Sequence, residues 1–295
     1  MSRQLKAGFL LTITALIWGA AFVAQSVGMD YVGPFTYLFS RSIIAGIALL
    51  PLIKFSSKQE TAKEKASKKT LVIGGICCGL VLFTASAFQQ AGIKYTTVGK
   101  AGFITSLYMI IVPIISIILG NKAPKKVWIA VLIAVIGMYF LCINGDSGVN
   151  KGDILVMCSS MGFAMHILVI NRFTPHVNGI KMSCIQFWIC AVASGIFMLI
   201  FEKPELSSIL AAWAPILYAG VLSSGVGYTL QIIAQKDIDP TVASLICSLE
   251  SVFSVLFGWL LLHQALSFKE LFGCVLVFAA VILTQLPDKK LKTAI

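Results

Sequence analysis

Apolar runs of about 20 residues recur along the whole chain, parted by short polar stretches. They lie near 7–28, 34–53, 71–91, 97–119, 125–144, 152–171, 180–200, 211–234, 241–262 and 268–286. A helix that crosses the hydrocarbon core of a bilayer needs about 20 such residues, so the pattern predicts ten spanning helices. The first run follows Arg3 and Lys6, the flank expected of a secretory signal. It is longer than a signal core and ends in no convincing cleavage site, so it reads as a retained helix.

The ten runs fall into two sets of five, residues 1–145 and 146–295, which resemble each other at a shift of 143–145 positions. Lys6 to Phe22 aligns with Lys151 to Ile167, which sets Trp18 over Phe163, and 97–119 overlays 241–263, which sets Ser106 over Glu250. Five is odd, so the second half must enter the membrane in the opposite sense to the first. Inverted repeats of this kind are a mark of secondary transporters, with the solute site near the midplane between the halves. The expected fold is therefore an all-α membrane protein of ten transmembrane helices in two inverted five-helix halves. A receptor, sensor or purely structural bundle gives no reason for such halves.

Composition agrees with the pattern. Of 295 residues 58% are apolar and 12% charged, and the mean hydropathy is +0.92. A soluble domain carries about twice that charge, so an ordinary soluble enzyme, a disordered chain and a nucleic-acid module are all excluded. The net charge of +11 is explained by where the basic residues stand. Seventeen of the 23 fall at the N-terminus, at 54–70, 120–126, 171–181 and 235–240 and in the C-terminal tail; four fall in the opposite loops, and Arg41 and Lys100 lie inside spans. The positive-inside rule then puts both termini in the cytoplasm, as an even number of spans requires. The longest connector, 54–70, is lysine-rich and reads as a solvated loop that pins orientation, with a lipid-headgroup or partner site as the alternative. The eight cysteines lie in apolar stretches without a C-x-x-C pair, which predicts small buried hydrophobes and neither disulfides nor a zinc site.

Three strongly ionisable residues stand clearly within the runs rather than at their very ends: Arg41, Lys100 and Glu250. A charge inside a bilayer needs a partner, water or a task. Glu250 lies ten residues beyond Pro240, about 15 Å into its helix and so near the midplane. It is a candidate proton-coupling carboxylate or a partner for a cationic solute group, with a packing role as the alternative. Arg41, about 10 Å from the outer boundary, can take a carboxylate bidentately or can link helices. Lys100 sits near the start of its span, where snorkelling competes with function. His166 is a candidate proton carrier or a satisfied polar group. Trp18, Phe22, Tyr108, Trp188 and Tyr228 supply aromatic surface for a cavity or for packing. Gln25, Gln89, Gln90, Gln231 and Gln235 suit a solute or helix–helix hydrogen bonds equally. Pro113 predicts a kink in the fourth span, and GGICCG (74–79) and GVLSSGVG (220–227) permit close helix approach. A P-loop, G-x-S-x-G and H-E-x-x-H are all missing from the sequence. No enzyme activity, cofactor or metal site is expected.

The strings ALIWGAAFVAQ (15–25), GPFTYLFSR (33–41), AGFITSLYMIIVPIIS (101–116), GVGYTLQIIAQ (225–235) and PTVASLICSLESVFSVLFGWLLL (240–262) resemble the EamA branch of the drug/metabolite transporter superfamily. The resemblance covers essentially the whole chain. It implies two inverted five-helix halves in the cytoplasmic membrane and a permease that often exports amino acids or related metabolites. It also implies a cavity lined by the first, third, fourth, sixth, eighth and ninth helices, which points to Trp18, Phe22, Tyr108, His166, Tyr228 and Glu250. Where the family often has Leu-Glu-Pro, this chain has Leu249-Glu250-Ser251, a change expected to remove a helix break. The leading expectation is a secondary exporter of amino acids or similar small metabolites, a facilitator or proton-driven, functional as a monomer. The alternative is a proton-coupled exporter of organic cations or drugs with Glu250 as the exchange carboxylate. The partners in either case are a small solute, the lipid bilayer and, for coupling, protons, with no nucleic acid.

Overall fold

The computed structural model describes residues 3–57, 67–120, 125–142, 150–263 and 267–286, and among these it is helical throughout with no strand. The helices are α1 (Arg3–Gly28), α2 (Pro34–Ser57), α3 (Lys68–Ile93), α4 (Val98–Ser106), α5 (Tyr108–Ile118), α6 (Lys125–Cys142), α7 (Lys151–Phe173) and α8 (Gly179–Phe201). They continue with α9 (Leu206–Ala211), α10 (Trp213–Leu217), a π-helical stretch (Tyr218–Tyr228), α11 (Thr229–Ala234), α12 (Pro240–Cys247), α13 (Leu249–Leu262) and α14 (Phe268–Gln285). Most of the lysine-rich connector and the C-terminal tail lie outside the described residues.

Among the described residues eight helical segments are long and apolar enough to cross a membrane: α1, Pro34–Lys54 of α2, α3, Val98–Ile118, Lys151–His176, α8, Trp213–Ala234 and Pro240–Leu262. The fifth and tenth predicted runs form helices too, α6 and α14, each with 18 described residues. The two pack against each other, with Gly137 meeting the Gly273 carbonyl so closely that a Cβ there would stand 2.8 Å from it.

Local chemistry starts the helices. Asn150 and Asp153 form a reciprocal capping box, each side chain accepting the other's backbone N–H at 2.9 Å. Asn178 caps α8 by accepting from the Ile180 and Lys181 amides, and Asp239 caps α12 ahead of Pro240. The start of α2 is capped from the other half of the chain: Glu202 accepts the amides of Phe35 and Thr36, both at 2.8 Å.

Three predicted spans are interrupted. The fourth breaks at Leu107, where the backbone tightens and the Leu107 N–H reaches the Ile104 carbonyl. The expected kink at Pro113 is thus preceded by a break six residues earlier, between α4 and α5. The eighth runs as a π-helix through Tyr218–Tyr228. The ninth breaks at Ser248, which corrects the expectation that losing the family's proline would remove a break. Serines line the break. Ser244, Ser248, Ser251 and Ser254 each donate to the carbonyl three residues earlier at 2.7–2.8 Å. Such back-bonding competes with the helical ladder and bends it.

The polarity of the fold is that of a protein in lipid. Gln25, Gln89, Gln90, Gln186, Gln231 and Gln235 are buried, while Ile118, Leu199, Ile200 and Phe201 are exposed. Of the described cysteines, Cys78, Cys184, Cys190, Cys247 and Cys274 are buried as expected, but Cys158 is exposed and Cys77 is half-buried; none is in a disulfide. The helix pairings come in couples related by exchanging the halves. α3 packs on α7 as α1 packs on the α10–π–α11 segment; α1 packs on α12 and α13 as α7 packs on α4 and α5; α2 pairs with α8, and α6 with α14.

Candidate functional site

Small residues bring the central helices into contact. A Cβ on Gly19 of α1 would stand 2.3 Å from the Phe253 Cβ of α13, and one on Gly102 of α4 would stand 2.2 Å from the Ser254 Oγ. This places α1, α4 and α13 side by side, and the breaks at Leu107 and Ser248 meet within that contact. Ser106 Oγ lies 3.5 Å from the Ser248 carbonyl and 3.4 Å from Glu250 Oε1. The two residues that the repeat alignment superposes are thus neighbours in space.

Around this point is a cavity of about 440 Å³, of which only about 30 Å³ admits the centre of a water molecule. That is room for about two or three waters. Its walls include Trp18, Phe22, Arg41, Tyr108, His166, Tyr228 and Glu250, so all the charged and aromatic residues singled out from sequence, save Lys100 and Trp188, converge on one space. Lys100 does not. Its Nζ lies 2.6 Å from Asp153 Oδ2, and Thr96 donates to the other oxygen of that carboxylate at 2.8 Å. Asp153 is a buried acid within α7 that a reading of the spans leaves out, because it stands two residues past the start of its helix. Beside this pair Lys151 Nζ sits 3.7 Å from the centre of the Tyr95 ring. These contacts tie the first half to the second.

Tyr228 is the hub of the aromatic wall. Its ring lies 4.6 Å from Trp18, 5.6 Å from His166 and 5.8 Å from Phe187, centre to centre. The Trp18 indole donates to the Ser223 carbonyl at 3.2 Å. It gets that close because residue 227 is glycine: a Cβ there would stand 2.7 Å from the indole nitrogen. His166 Nε2 is 3.1 Å from Gln186 Oε1, and with that pairing Gln186 Nε2 is left without a partner. The histidine is thus held in place by a neighbour.

The polar part of the wall is incompletely satisfied. Gln89 donates to Thr105 at 3.0 Å, but Gln231 Oε1 has no hydrogen bond, and the Tyr108 hydroxyl is buried beside Glu250. Arg41 Nη1 donates to Gln25 Oε1 at 3.3 Å. Sequence reasoning passed over Thr105, Ser106, Phe163 and Ser223. The repeat alignment carried a signal for Phe163 and Ser106, as the partners of Trp18 and Glu250. Thr105 and Ser223 enter only through packing. Trp188 lies apart from the cavity, against Gly46. Among the described residues no cluster of three or more His, Cys, Asp or Glu side chains could hold a metal.

The family model described as the EamA-like transporter family matches the chain twice, over residues 5–143 and 150–286. An uncharacterised transporter of Archaeoglobus fulgidus is 30% identical over 96% of this chain and 87% of its own length. The uncharacterised transporter YoaV of Bacillus subtilis is 23% identical over 92% of this chain and 94% of its own. The uncharacterised inner membrane transporter YedA of Escherichia coli is 23% identical over 91% and 87%. In fold, a crystal structure superposes with a TM-score of 0.77 over 98% of this chain and 99% of that one, at 16% identity.

Proposed function

This chain belongs to the EamA-like transporter family as a multi-pass membrane protein built of two repeats, and from that premise we propose that it exports amino acids or related small metabolites by alternating access of two inverted halves. The observation that carries the reading is the cavity at the junction of the halves, walled by Trp18, Phe22 and Arg41 from one and by His166, Tyr228 and Glu250 from the other. Inverted-repeat transporters place their site there. The paired helix contacts support an inverted relation, because the main contacts between the halves have counterparts with the halves exchanged. On this reading α6 and α14 are the fifth and tenth spans, the protein resides in the cytoplasmic membrane, both termini are cytoplasmic, and a monomer is the working unit.

In its contracted form the cavity is too small for an amino acid. A solute enters when the Trp18–Tyr228 contact opens and the halves part on one side. Glycine contacts and single-residue breaks in α4–α5 and α12–α13 supply places for such movement. A second reading, a proton-coupled exporter of organic cations, is favoured by one observation: Glu250 is buried against the cavity beside Ser106 and Tyr108 and, among the described residues, makes no ion pair.

The test uses proteoliposomes loaded with a mixed pool of amino acids, organic acids and organic cations, with efflux followed by mass spectrometry. Selective loss of amino acids without a pH gradient is the expected result. Efflux confined to organic cations, and only under a gradient, would overturn it in favour of Glu250-based exchange.

A further inference from the structure

We propose that the cavity reads its solute as a zwitterion, with Arg41 taking the carboxylate and Glu250 the ammonium group. The inference rests on the export reading above and assigns the two ends of the cargo to residues.

Arg41 is 4% exposed and Glu250 3%, and both face the same cavity. Neither has an oppositely charged partner among the described residues; the ion pair present is Lys100–Asp153, outside the cavity. Arg41 has five N–H donors and makes one side-chain hydrogen bond, to Gln25 at 3.3 Å. Glu250 accepts from Ser106 at 3.4 Å. A buried charge without a partner is costly, and a helix bundle has a simple remedy in placing the two side by side. Here they are kept apart in one space, with Tyr228 in electrostatic reach of both. A solute that carries one charge of each sign completes both sites at once. The planar guanidinium fork matches a carboxylate, and an ammonium group has three donors for Glu250 and the Tyr108 oxygen buried beside it.

The rest of the wall sets the side chain of the solute. Trp18, Phe22, Phe163 and Tyr228 supply apolar surface and Gln89, Thr105 and Gln231 polar surface, and among the described residues no third charged side chain lines the space. A third charge on the solute would be buried without a partner. The class is therefore amino acids with uncharged side chains.

The experiment measures efflux of L-phenylalanine, L-phenylalaninamide and phenyllactate from proteoliposomes that hold the parent protein, Arg41→Gln, Arg41→Lys or Glu250→Gln. The amide lacks the carboxylate and phenyllactate lacks the ammonium group. The parent should prefer phenylalanine over each analogue by about tenfold or more, the effect of one lost charged hydrogen-bond set. Arg41→Gln should abolish the preference over the amide and leave the preference over phenyllactate. Glu250→Gln should do the reverse. Each ratio is internal to one variant, so low yield does not blur it. If Arg41→Gln does not fold, Arg41→Lys takes its place, with a smaller loss of preference because lysine cannot form the fork. Phenylalanine efflux with ratios unchanged in the variants would overturn the assignment and leave the export reading standing. Efflux of the amide alone, under a pH gradient, would overturn both.

Discussion

At the scale of single residues, burial divides charges that look alike in sequence. Arg41, Lys100 and Glu250 each interrupt an apolar run. Lys100 finds Asp153 across the junction of the halves, while Arg41 and Glu250 face the cavity. The glycines divide in the same way. At Gly19 a methyl group would collide with the Phe253 backbone carbon at 2.8 Å as well as its Cβ, and backbone cannot turn aside. At Gly225 the nearest atom to an added Cβ is the Gly220 carbonyl oxygen, at 3.3 Å. Gly19→Ala should therefore cost about 1–3 kcal/mol and Gly225→Ala much less. Melting temperatures of the purified proteins in detergent check this; equal melting would show that α1 and α13 can part freely.

At the scale of elements, the apolar runs predict where helices lie better than they predict continuity. A run of about 20 apolar residues is a local property, and caps such as Asn150, Asn178 and Asp239 are local too. The break at Ser248 is not revealed by composition. It also changes what proline would do. Ser251 is the third residue of α13, within the first turn, where proline is tolerated. Its N–H bonds to the Ser248 carbonyl at 3.0 Å, so Ser251→Pro should cost about 1 kcal/mol and keep transport. Val255→Pro, in the interior of the same helix, should cost about 3 kcal/mol or more. Thermal melting together with efflux distinguishes them, and a Ser251→Pro protein that fails to assemble would refute the account of the break.

At the scale of the molecule, the two halves touch at the cavity and at the Lys100–Asp153 pair. Under the predicted topology that pair stands toward the outer face. The equivalent positions in the other half, Ser244 and Gly8, carry no charge, so this ionic tie is not repeated at the matching place in the other mouth. Lys100→Ala or Asp153→Ala should therefore open the outer mouth more often. A cysteine at Thr105, in a background without other cysteines, should react about fivefold faster with an impermeant thiol reagent added outside. That is the effect of about 1 kcal/mol for a partly exposed pair. Exchanging the two residues should restore the slower rate. Unchanged reactivity in all three variants would make the pair a packing contact with no part in opening.

The sequence alone determined that the chain is an all-helical membrane protein, that it repeats, and which polar residues sit in apolar surroundings. These follow from the length of hydrocarbon a helix must cross and from the cost of charge within it, and both leave their mark residue by residue. The π-helical stretch and the breaks at Leu107 and Ser248 belong to the folded helices and leave no mark in the apolar pattern. Above all, only the tertiary structure brought Trp18, Arg41, Tyr228 and Glu250 to one cavity and took Lys100 out of it. Residues more than two hundred positions apart meet there, and a linear pattern holds no record of the rotation of one helix against another that lets them do so.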